Sequence, residues 1–189
     1  MKLILASNSP RRKELLEKSG FLFDIISSDY EEQPFSNDPI LTAKTFAEGK
    51  AKDVFNKLDN KREIVVLGAD TVVFCDGKIL GKPSSEEEAR KTLRSLSGKT
   101  HEVATGFSII SEKDYINDVV VTKVTFNNLT EEVVEGYIKS GLYKGKAGSY
   151  GIQDGFPLVE KYEGSLSNVI GLPIEEVAPI LKNLIETKE

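Results

Sequence analysis

Two adjacent arginines stand at the start of a predicted helix, in the segment Ser9-Pro10-Arg11-Arg12. Serine followed by proline has the form of an N-cap and a first helical position. A helix N-terminus carries partial positive charge, so arginine is unfavourable there unless an anion is bound. The placement indicates a phosphate site made of backbone N–H groups and guanidinium groups. Surface ion pairs with Glu14 or Glu31 are the alternative interpretation.

A carboxylate beside a hydroxyl, Asp70-Thr71, follows the apolar run 64–67. Such a run is typical of a strand covered on both faces, and we expect the strand to end at Asp70. Side chains at the carboxyl end of a strand point into the crevice where α/β sheets bind ligands. A role as a turn or cap residue is the alternative for Asp70.

A second carboxylate is available from Glu31 or Glu32, in an acidic loop. Together with Asp70 it would form a pair suited to magnesium, which prefers hard oxygen ligands and phosphate oxygens. Adjacent glutamates are more often simply solvated, and that interpretation stays open.

Two lysines and a glycine-rich segment complete the set of candidate residues. Lys50 falls in a predicted helix, and Lys82 lies in Gly81-Lys82-Pro83, where proline stiffens a turn and fixes the direction of the ammonium group. The segment 145–153 contains enough glycine to approach a ligand through its backbone, and Gln153 can both donate and accept hydrogen bonds. Ordinary surface lysines and a plain tight turn are the alternatives.

The composition is that of a globular protein, with 39% hydrophobic and 29% charged residues among 189. Thirty acidic against 25 basic residues give a net charge of −5. This balance is unfavourable for binding phosphate backbones, so we expect no nucleic-acid partner. The single histidine, His101, excludes a catalytic histidine pair and a histidine-rich metal site.

The expected compartment is the cytoplasm. The apolar stretch at residues 3–6 is too short for a signal peptide, and the single cysteine, Cys75, agrees with a reducing environment. No apolar run approaches the roughly 20 residues of a membrane span, so no membrane association is expected.

Apolar periodicity, caps and turns predict alternating strands and helices in a single domain of residues 1–189. Strands are predicted at 3–6, 21–26, 64–67, 72–75, 78–80, 103–110, 118–126 and 157–159, with a hairpin at Asp76-Gly77. Helices are predicted to begin at Ser9-Pro10, Asp38-Pro39, a Ser84 and Glu87 capping box, Thr130 and Pro173.

Six ordered segments resemble the Maf family of nucleoside triphosphate pyrophosphatases, also called septum formation inhibitor proteins. The resemblance covers nearly the whole chain. The segments are residues 3–16 (LILASNSPRRKELL), 68–73 (GADTVV), 81–83 (GKP), 96–103 (LSGKTHEV), 146–153 (KAGSYGIQ) and 168–173 (NVIGLP).

The resemblance implies an α/β fold with a strongly twisted mixed sheet flanked by helices, in two lobes around a cleft as in inosine triphosphate pyrophosphatase. It also implies a homodimer. The family's general base falls on Asp70. Its phosphate and metal positions fall on Ser9, Arg11, Arg12, Glu32, Lys50 and Lys82.

The positions that define the family's subgroups fall on Arg12, Thr71 and Gln153. This combination resembles the subgroup acting on dTTP and UTP rather than the one acting on 7-methyl-GTP. Two departures bear on the base pocket: Ser149 replaces a residue that is usually glycine or alanine, and Leu166 stands where an aromatic residue is common.

The expected reaction converts a nucleoside triphosphate to its monophosphate and pyrophosphate. Catalysis is assigned to Asp70, Glu32 and Lys82, with Glu32 and Asp70 holding Mg²⁺ or Mn²⁺. Modified pyrimidine nucleotides are possible substrates. The alternative is a nucleotide-binding regulatory protein of cell division without turnover, against which the carboxylate pair beside the lysines argues.

Overall fold

The structure is a computed structural model and describes residues 1–186. Residues 187–189, the end of the predicted domain, lie outside the described part. The strands are β1 (Lys2–Leu5), β2 (Phe23–Ile25), β3 (Ile64–Cys75), β4 (Lys78–Leu80), β5 (Thr100–Ile110), β6 (Tyr115–Phe126) and β7 (Val159–Glu163). The helices are α1 (Pro10–Lys18), α2 (Pro39–Lys57), α3 (Glu86–Leu96), α4 (Glu131–Ser140), α5 (Leu166–Ile170) and α6 (Ile174–Glu186), with a 3₁₀ turn at Ala147–Ser149.

Within residues 1–186 the strands form one mixed sheet of order β2-β1-β3-β5-β6-β7, and β4 pairs with β3. The pairings of β1 with β2 and with β3 are parallel, and the others are antiparallel. The predicted α/β class, a mixed sheet flanked by helices, is therefore confirmed.

The central strand corrects one prediction, because β3 does not end at Asp70 but continues to Cys75. Gly68, which directly follows the predicted strand 64–67, allows close packing of α2. A Cβ atom at Gly68 would lie 2.5 Å from the carbonyl oxygen of Ala47, and one at Gly106 would lie 2.3 Å from that of Ala43. The two glycines therefore let α2 lie directly against the middle of the sheet.

The edge of β3 that faces β1 has a gap at the centre. The strand β1 pairs with residues 64–67, and β4 pairs with residues 73–75 on the same edge. Within residues 1–186, no strand pairs with the segment 68–72 on this side, while β5 covers the opposite edge throughout. Asp70 and Thr71 lie in this gap. A crevice therefore does open beside them, although the strand continues.

Alternation along β3 places the two side chains on opposite faces. On the face of Thr71, Leu67 and Ala69 belong to the core formed with α1 and α6, whereas Val73 and Cys75 belong to the core formed with α3 and α4. Thr71 thus lies where one core ends and the other begins. Asp70 points to the side covered by α2.

Most local signals are confirmed. Asp38 caps α2 by accepting hydrogen bonds from the amides of Ile40 and Leu41, Thr130 caps α4, and the hairpin turns at Asp76-Gly77. The N-cap of α3 is Ser85 rather than Ser84, so that capping prediction is wrong by one residue. Both hydroxyl and amide of Ser84 instead donate to the carboxylate of Glu88.

The carboxyl-terminal third differs more from the predictions. The strand β7 begins at Val159, two residues later than expected, and the short helix α5 was not predicted. Ser165 caps α5 by accepting a hydrogen bond from the amide of Asn168. As far as residues 1–186 are concerned, no helix has the length and apolarity needed to cross a membrane.

Candidate active site

A cleft of about 480 Å³ lies at the gap in the edge of β3. Its size is within the range of small-molecule sites. Every residue assigned from the sequence to catalysis or binding lines it: Ser9, Arg11, Arg12, Glu32, Lys50, Asp70, Thr71, Lys82 and Gln153. Residues from six separate parts of the chain therefore converge on one site.

The N-terminus of α1 faces this cleft without a side-chain cap. Pro10 occupies the first turn, Ser9 makes no capping hydrogen bond, and the first turn contains no acidic residue. The first intrahelical bond runs from the amide of Lys13 to the carbonyl of Ser9. The amides of Arg11 and Arg12 precede that bond and have no intrahelical acceptor, as at every helix start. The positive end of α1 is thus open toward the cleft.

The guanidinium of Arg12 is fixed by three neutral acceptors. Its Nε donates to the carbonyl of Gly171 at 2.7 Å, Nη1 to the hydroxyl of Ser7 at 3.2 Å, and Nη2 to the hydroxyl of Thr71 at 3.1 Å. Burial lowers the pKa of Arg12, and the nearby carboxylate of Asp70 opposes that shift. The predicted alternative of surface ion pairing with Glu14 or Glu31 is wrong for this arginine.

Arg11 has a looser environment. Its Nη2 donates to the carbonyl of Gly145 at 3.4 Å, which connects α1 to the glycine-rich loop across the cleft. Partial burial lowers the pKa of Arg11, and the charge of the Asp154 carboxylate opposes this shift only in part. Glu14 instead pairs with Lys18.

Two carboxylates converge on one lysine. The Nζ of Lys50, on α2, lies 2.5 Å from Oε1 of Glu32 and 2.7 Å from Oδ1 of Asp70. The Asp70 side chain is only 8% exposed, whereas that of Glu32 is 33% exposed. Glu32 is therefore the carboxylate of the acidic loop that joins Asp70. The family resemblance indicated Glu32, whereas residue type and spacing alone left Glu31 equally available.

The surroundings shift the two carboxyl pKa values in opposite directions. Burial raises the pKa of Asp70 above its usual value despite the opposing charge of Lys50, and the Glu32 charge adds to the increase. Burial also acts to raise the pKa of Glu32, but Lys50, Lys82 and Arg12 lower it overall. Separated pKa values in a carboxylate pair are typical of sites where one group accepts a proton and the other stays charged.

Lys82 and Gln153 both line the cleft and are exposed. The charge of Lys82 lowers the pKa of Glu32, which places the ammonium near the carboxylate pair. The turn that carries Lys82 is tied to the glycine-rich loop because the amide of Gly148 donates to the carbonyl of Gly81 at 3.1 Å.

A buried network that the sequence analysis missed supports the loop of Gln153. The ammonium of Lys146 contacts both carboxylate oxygens of Asp154, at 2.8 and 2.6 Å, and the hydroxyl of Tyr137 donates to the same carboxylate at 2.6 Å. The amide of Gly151 donates to the Tyr137 oxygen. Burial raises the pKa of Tyr137, so it stays protonated. Asp154 thereby anchors the loop directly after Gln153.

The donor set of the carboxylate pair suits a divalent cation. Glu32 and Asp70 already share one cationic group, so both can contact one ion at the position of the ammonium. Among residues 1–186 there is no group of three or more His, Cys, Asp or Glu side chains that could hold a metal. Two carboxylates fit Mg²⁺ or Mn²⁺ only where phosphate and water supply the remaining ligands.

The fold and the site define an α/β protein with a polar, cation-rich cleft at a gap in its central sheet. Comparison with known proteins identifies the family. The family model described as "Maf-like protein" matches residues 2–184. The chain therefore belongs to the Maf family.

Several curated relatives carry the name dTTP/UTP pyrophosphatase. The protein of Pyrococcus furiosus is 45% identical over 96% of this chain and 94% of its own length. That of Alkaliphilus oremlandii is 47% identical over 96% and 95%. That of Thermoanaerobacter sp. strain X514 is 42% identical over 100% and 99%. The similarity is thus continuous over nearly full length.

Proposed function

We propose that this protein hydrolyses dTTP and UTP, and modified pyrimidine triphosphates of similar shape, to the monophosphate and pyrophosphate. The observation that carries the proposal is the juxtaposition of Glu32 and Asp70 with the open N-terminus of α1 in one cleft. A site that only bound triphosphate would need cations but no buried carboxylate. The names of the full-length relatives support the same reaction and the same pyrimidine substrates.

The triphosphate would bind along the cationic wall of the cleft. The free amides of Arg11 and Arg12 at the start of α1 suit phosphate oxygens, because the helix dipole favours an anion there. The Arg11 guanidinium and the Lys82 ammonium would hold the β- and γ-phosphates and stabilise the departing pyrophosphate. No acidic residue in the first turn of α1 competes for this position.

Glu32 and Asp70 would hold Mg²⁺ or Mn²⁺ together with the phosphates. When bound, such an ion lowers the pKa of a water molecule and neutralises phosphate charge. Lys50 occupies the space between the carboxylates in the free protein, so its ammonium would move from them toward the phosphates as the cation enters.

Asp70 would act as the general base. Its carboxylate would take a proton from a water molecule as the water oxygen forms a bond to the α-phosphorus. The bond from the α-phosphorus to the bridging oxygen breaks, and its electron pair leaves with pyrophosphate. Burial makes Asp70 a stronger base than a surface aspartate because it raises the pKa of this carboxyl group.

The test is a product assay on purified protein with Mg²⁺ or Mn²⁺ and each of dTTP, UTP, CTP and 7-methyl-GTP. We expect pyrophosphate and monophosphate from dTTP and UTP. Release of orthophosphate would contradict the position of the cleaved bond. Preference for 7-methyl-GTP would refute the pyrimidine specificity while leaving the reaction type intact.

The remaining properties stay predictions with simple tests. A homodimer is proposed from the family resemblance. Light scattering of the protein as it elutes from a size-exclusion column measures its mass and checks this proposal. The net charge of −5 supports the absence of a nucleic-acid partner, and submicromolar binding to random duplex DNA at physiological salt would contradict it. Location in the cytoplasm is checked by cell fractionation.

A further inference from the structure

A chain of hydrogen bonds runs from the cleft into the interior behind it. Thr71 and Thr105 are register partners on β3 and β5, and their hydroxyl oxygens lie 3.0 Å apart. The Thr105 hydroxyl also lies 2.9 Å from the carbonyl oxygen of Asn168. On the cleft side, Nη2 of Arg12 lies 3.1 Å from the Thr71 hydroxyl. Thr105 itself is fully buried and does not line the cleft.

Donor and acceptor chemistry fixes the direction of this chain from both ends. A carbonyl only accepts, so the single hydroxyl hydrogen of Thr105 is given to Asn168. Thr105 must therefore accept from Thr71, whose only hydroxyl hydrogen is consumed in that bond. Guanidinium only donates, so Arg12 donates to Thr71. The Thr71 hydroxyl is thereby held as an acceptor toward Arg12 and has no hydrogen left for the cleft.

The far end of the chain is rigid. The side-chain amide of Asn168 donates to the carbonyl of Val103 and to the hydroxyl of Thr122, each at 3.0 Å, and Asn168 is completely buried. Its helix, α5, is followed by the C-cap residue Gly171, whose carbonyl accepts the Nε of Arg12. Arg12, Thr71, Thr105 and α5 thus form a closed ring of hydrogen bonds, in which α5 supplies both terminal acceptors.

We infer that Thr105 is a positioning residue that orients Thr71 and, through it, the guanidinium of Arg12. Of the five N–H groups of Arg12, three are bound to Gly171, Ser7 and Thr71, which leaves two for a ligand. Their direction depends on Thr71 remaining an acceptor, because a Thr71 hydroxyl that pointed its hydrogen at Arg12 would repel it. The inference rests on the proposed function, since Arg12 is taken as a substrate-binding group.

The experiment is a double-mutant cycle with Thr71→Val and Thr105→Val. Alone, Thr105→Val should lower kcat/KM for UTP by about 5- to 150-fold, the effect of losing one buried hydrogen bond. In the Thr71→Val background, Thr105→Val should lower kcat/KM by less than about twofold, because the hydroxyl through which Thr105 acts has already been removed. Equal losses in both backgrounds would overturn the inference.

Two controls separate positioning from general damage to β5. Thr105→Ser keeps the hydroxyl and should retain the wild-type rate. Ser108→Ala removes another fully buried hydroxyl of the same strand, one that has no hydrogen-bond partner among the described residues, and should leave kcat/KM unchanged. A loss on Ser108→Ala equal to that on Thr105→Val, or no rescue by serine, would refute the role of Thr105.

A parallel readout keeps the test independent of turnover. The same cycle is measured on the dissociation constant of α,β-methylene-UTP, which cannot be cleaved at the relevant bond. If the wild-type protein binds this analogue but releases no pyrophosphate from UTP, the proposed function fails while the coupling between Thr71 and Thr105 is still tested. If the valine variant does not fold, Thr105→Cys, with its weak thiol donor, replaces it in the cycle.

Discussion

The ammonium of Lys50 lies 2.7 Å from the carboxylate of Asp70, and both side chains are largely buried, 13% and 8% exposed. The same ammonium contacts Glu32. Lys50 is therefore the cation that lies between two carboxylates, which would otherwise face each other in the free protein.

Replacing Lys50 by methionine should change both the stability of the free protein and its response to a metal ion. Loss of the cation leaves two carboxylates without a partner, and removal of one member of a buried ion pair costs about 3 to 5 kcal/mol. We expect a lower melting temperature without metal and a larger stabilisation by Mn²⁺ than in the wild type, since ligand binding to the folded state raises stability. Thermal unfolding with and without Mn²⁺ measures both.

The same helix offers a matched control. Lys57 also bridges two carboxylates, Asp29 and Asp53, but at the surface, where its side chain is 42% exposed. Lys57→Met should lower the melting temperature far less than Lys50→Met, because an exposed ion pair is screened by solvent, and it should not alter the response to Mn²⁺. A variant of Lys50 that behaves like this control would show that its position between the carboxylates has no bearing on metal binding.

The variant Asp70→Asn tests whether Asp70 acts as the general base. The change keeps the shape of the side chain but removes proton acceptance, and kcat should fall by about 10²- to 10⁴-fold. Asp24→Asn, at the surface pair with Lys2, serves as the control and should retain full activity. Steady-state pyrophosphate release gives kcat, and a near wild-type rate in the Asp70 variant would remove this residue from the chemistry.

Replacing Gln153 tests how the site selects the nucleobase of its substrate. Its amide can both donate and accept, which matches the adjacent C=O and N–H groups of uracil and thymine but not the edge of cytosine. Gln153 is exposed in the free cleft, so a bound base that covers it would bury any unpaired polar group, at a cost of about 1 to 3 kcal/mol, or roughly 5- to 150-fold. Gln153→Ala should therefore lower kcat/KM for dTTP and UTP far more than for CTP. Equal losses on all three nucleotides would assign Gln153 to the phosphate or to the loop itself.

The buried histidine, His101, should make the free energy of unfolding depend on pH. Burial lowers its pKa from 6.5 to about 4, and its Nε2 lies 2.7 Å from the Tyr150 hydroxyl. Below pH 6.5 the unfolded chain binds a proton that the folded protein does not, so the free energy of unfolding falls as the pH drops from about 6.5 to about 4. One such group contributes at most about 1.4 kcal/mol per pH unit.

Replacing His101 by glutamine isolates this contribution. The substitution keeps a polar group near Tyr150 but removes the titration, so the pH dependence between 4 and 6.5 should become shallower even if the variant is less stable at neutral pH. Urea unfolding across this range provides the measurement. Parallel curves for wild type and variant would mean that other groups account for acid sensitivity.

The sequence predicted what is encoded locally. Caps at Asp38 and Thr130 and the turn at Asp76-Gly77 depend on a few neighbouring residues, and the structure confirms them. The end of β3 was predicted wrongly because Gly68 serves the packing of α2, which only the tertiary structure reveals. A glycine between apolar residues carries no local sign of that distinction.

The candidate site divides in the same way. The site residues predicted from residue type, from position in the predicted elements and from the family resemblance all line the cleft, whereas Thr105, Asp154 and Tyr137 were not predicted. Their hydrogen bonds join positions far apart in sequence, such as Thr105 with Asn168, 63 residues apart. Side chains that act behind a site need no unusual residue type, so composition and spacing give no signal for them.

The hydrogen bond from Arg12 to Gly171 joins residues 159 positions apart, so the first and last parts of the chain meet in a junction at the cleft. Closing so long a loop costs chain entropy that only late tertiary contacts offset, and contacts of this kind form slowly during folding. Because the fully buried Leu172, Val177 and Leu181 pack in the same core as β1 and β3, we expect this junction to open only together with part of that core. A bound triphosphate that contacts Arg12 would stabilise this junction between α1 and the segment that follows α5, so proteolysis there should slow in proportion to its occupancy.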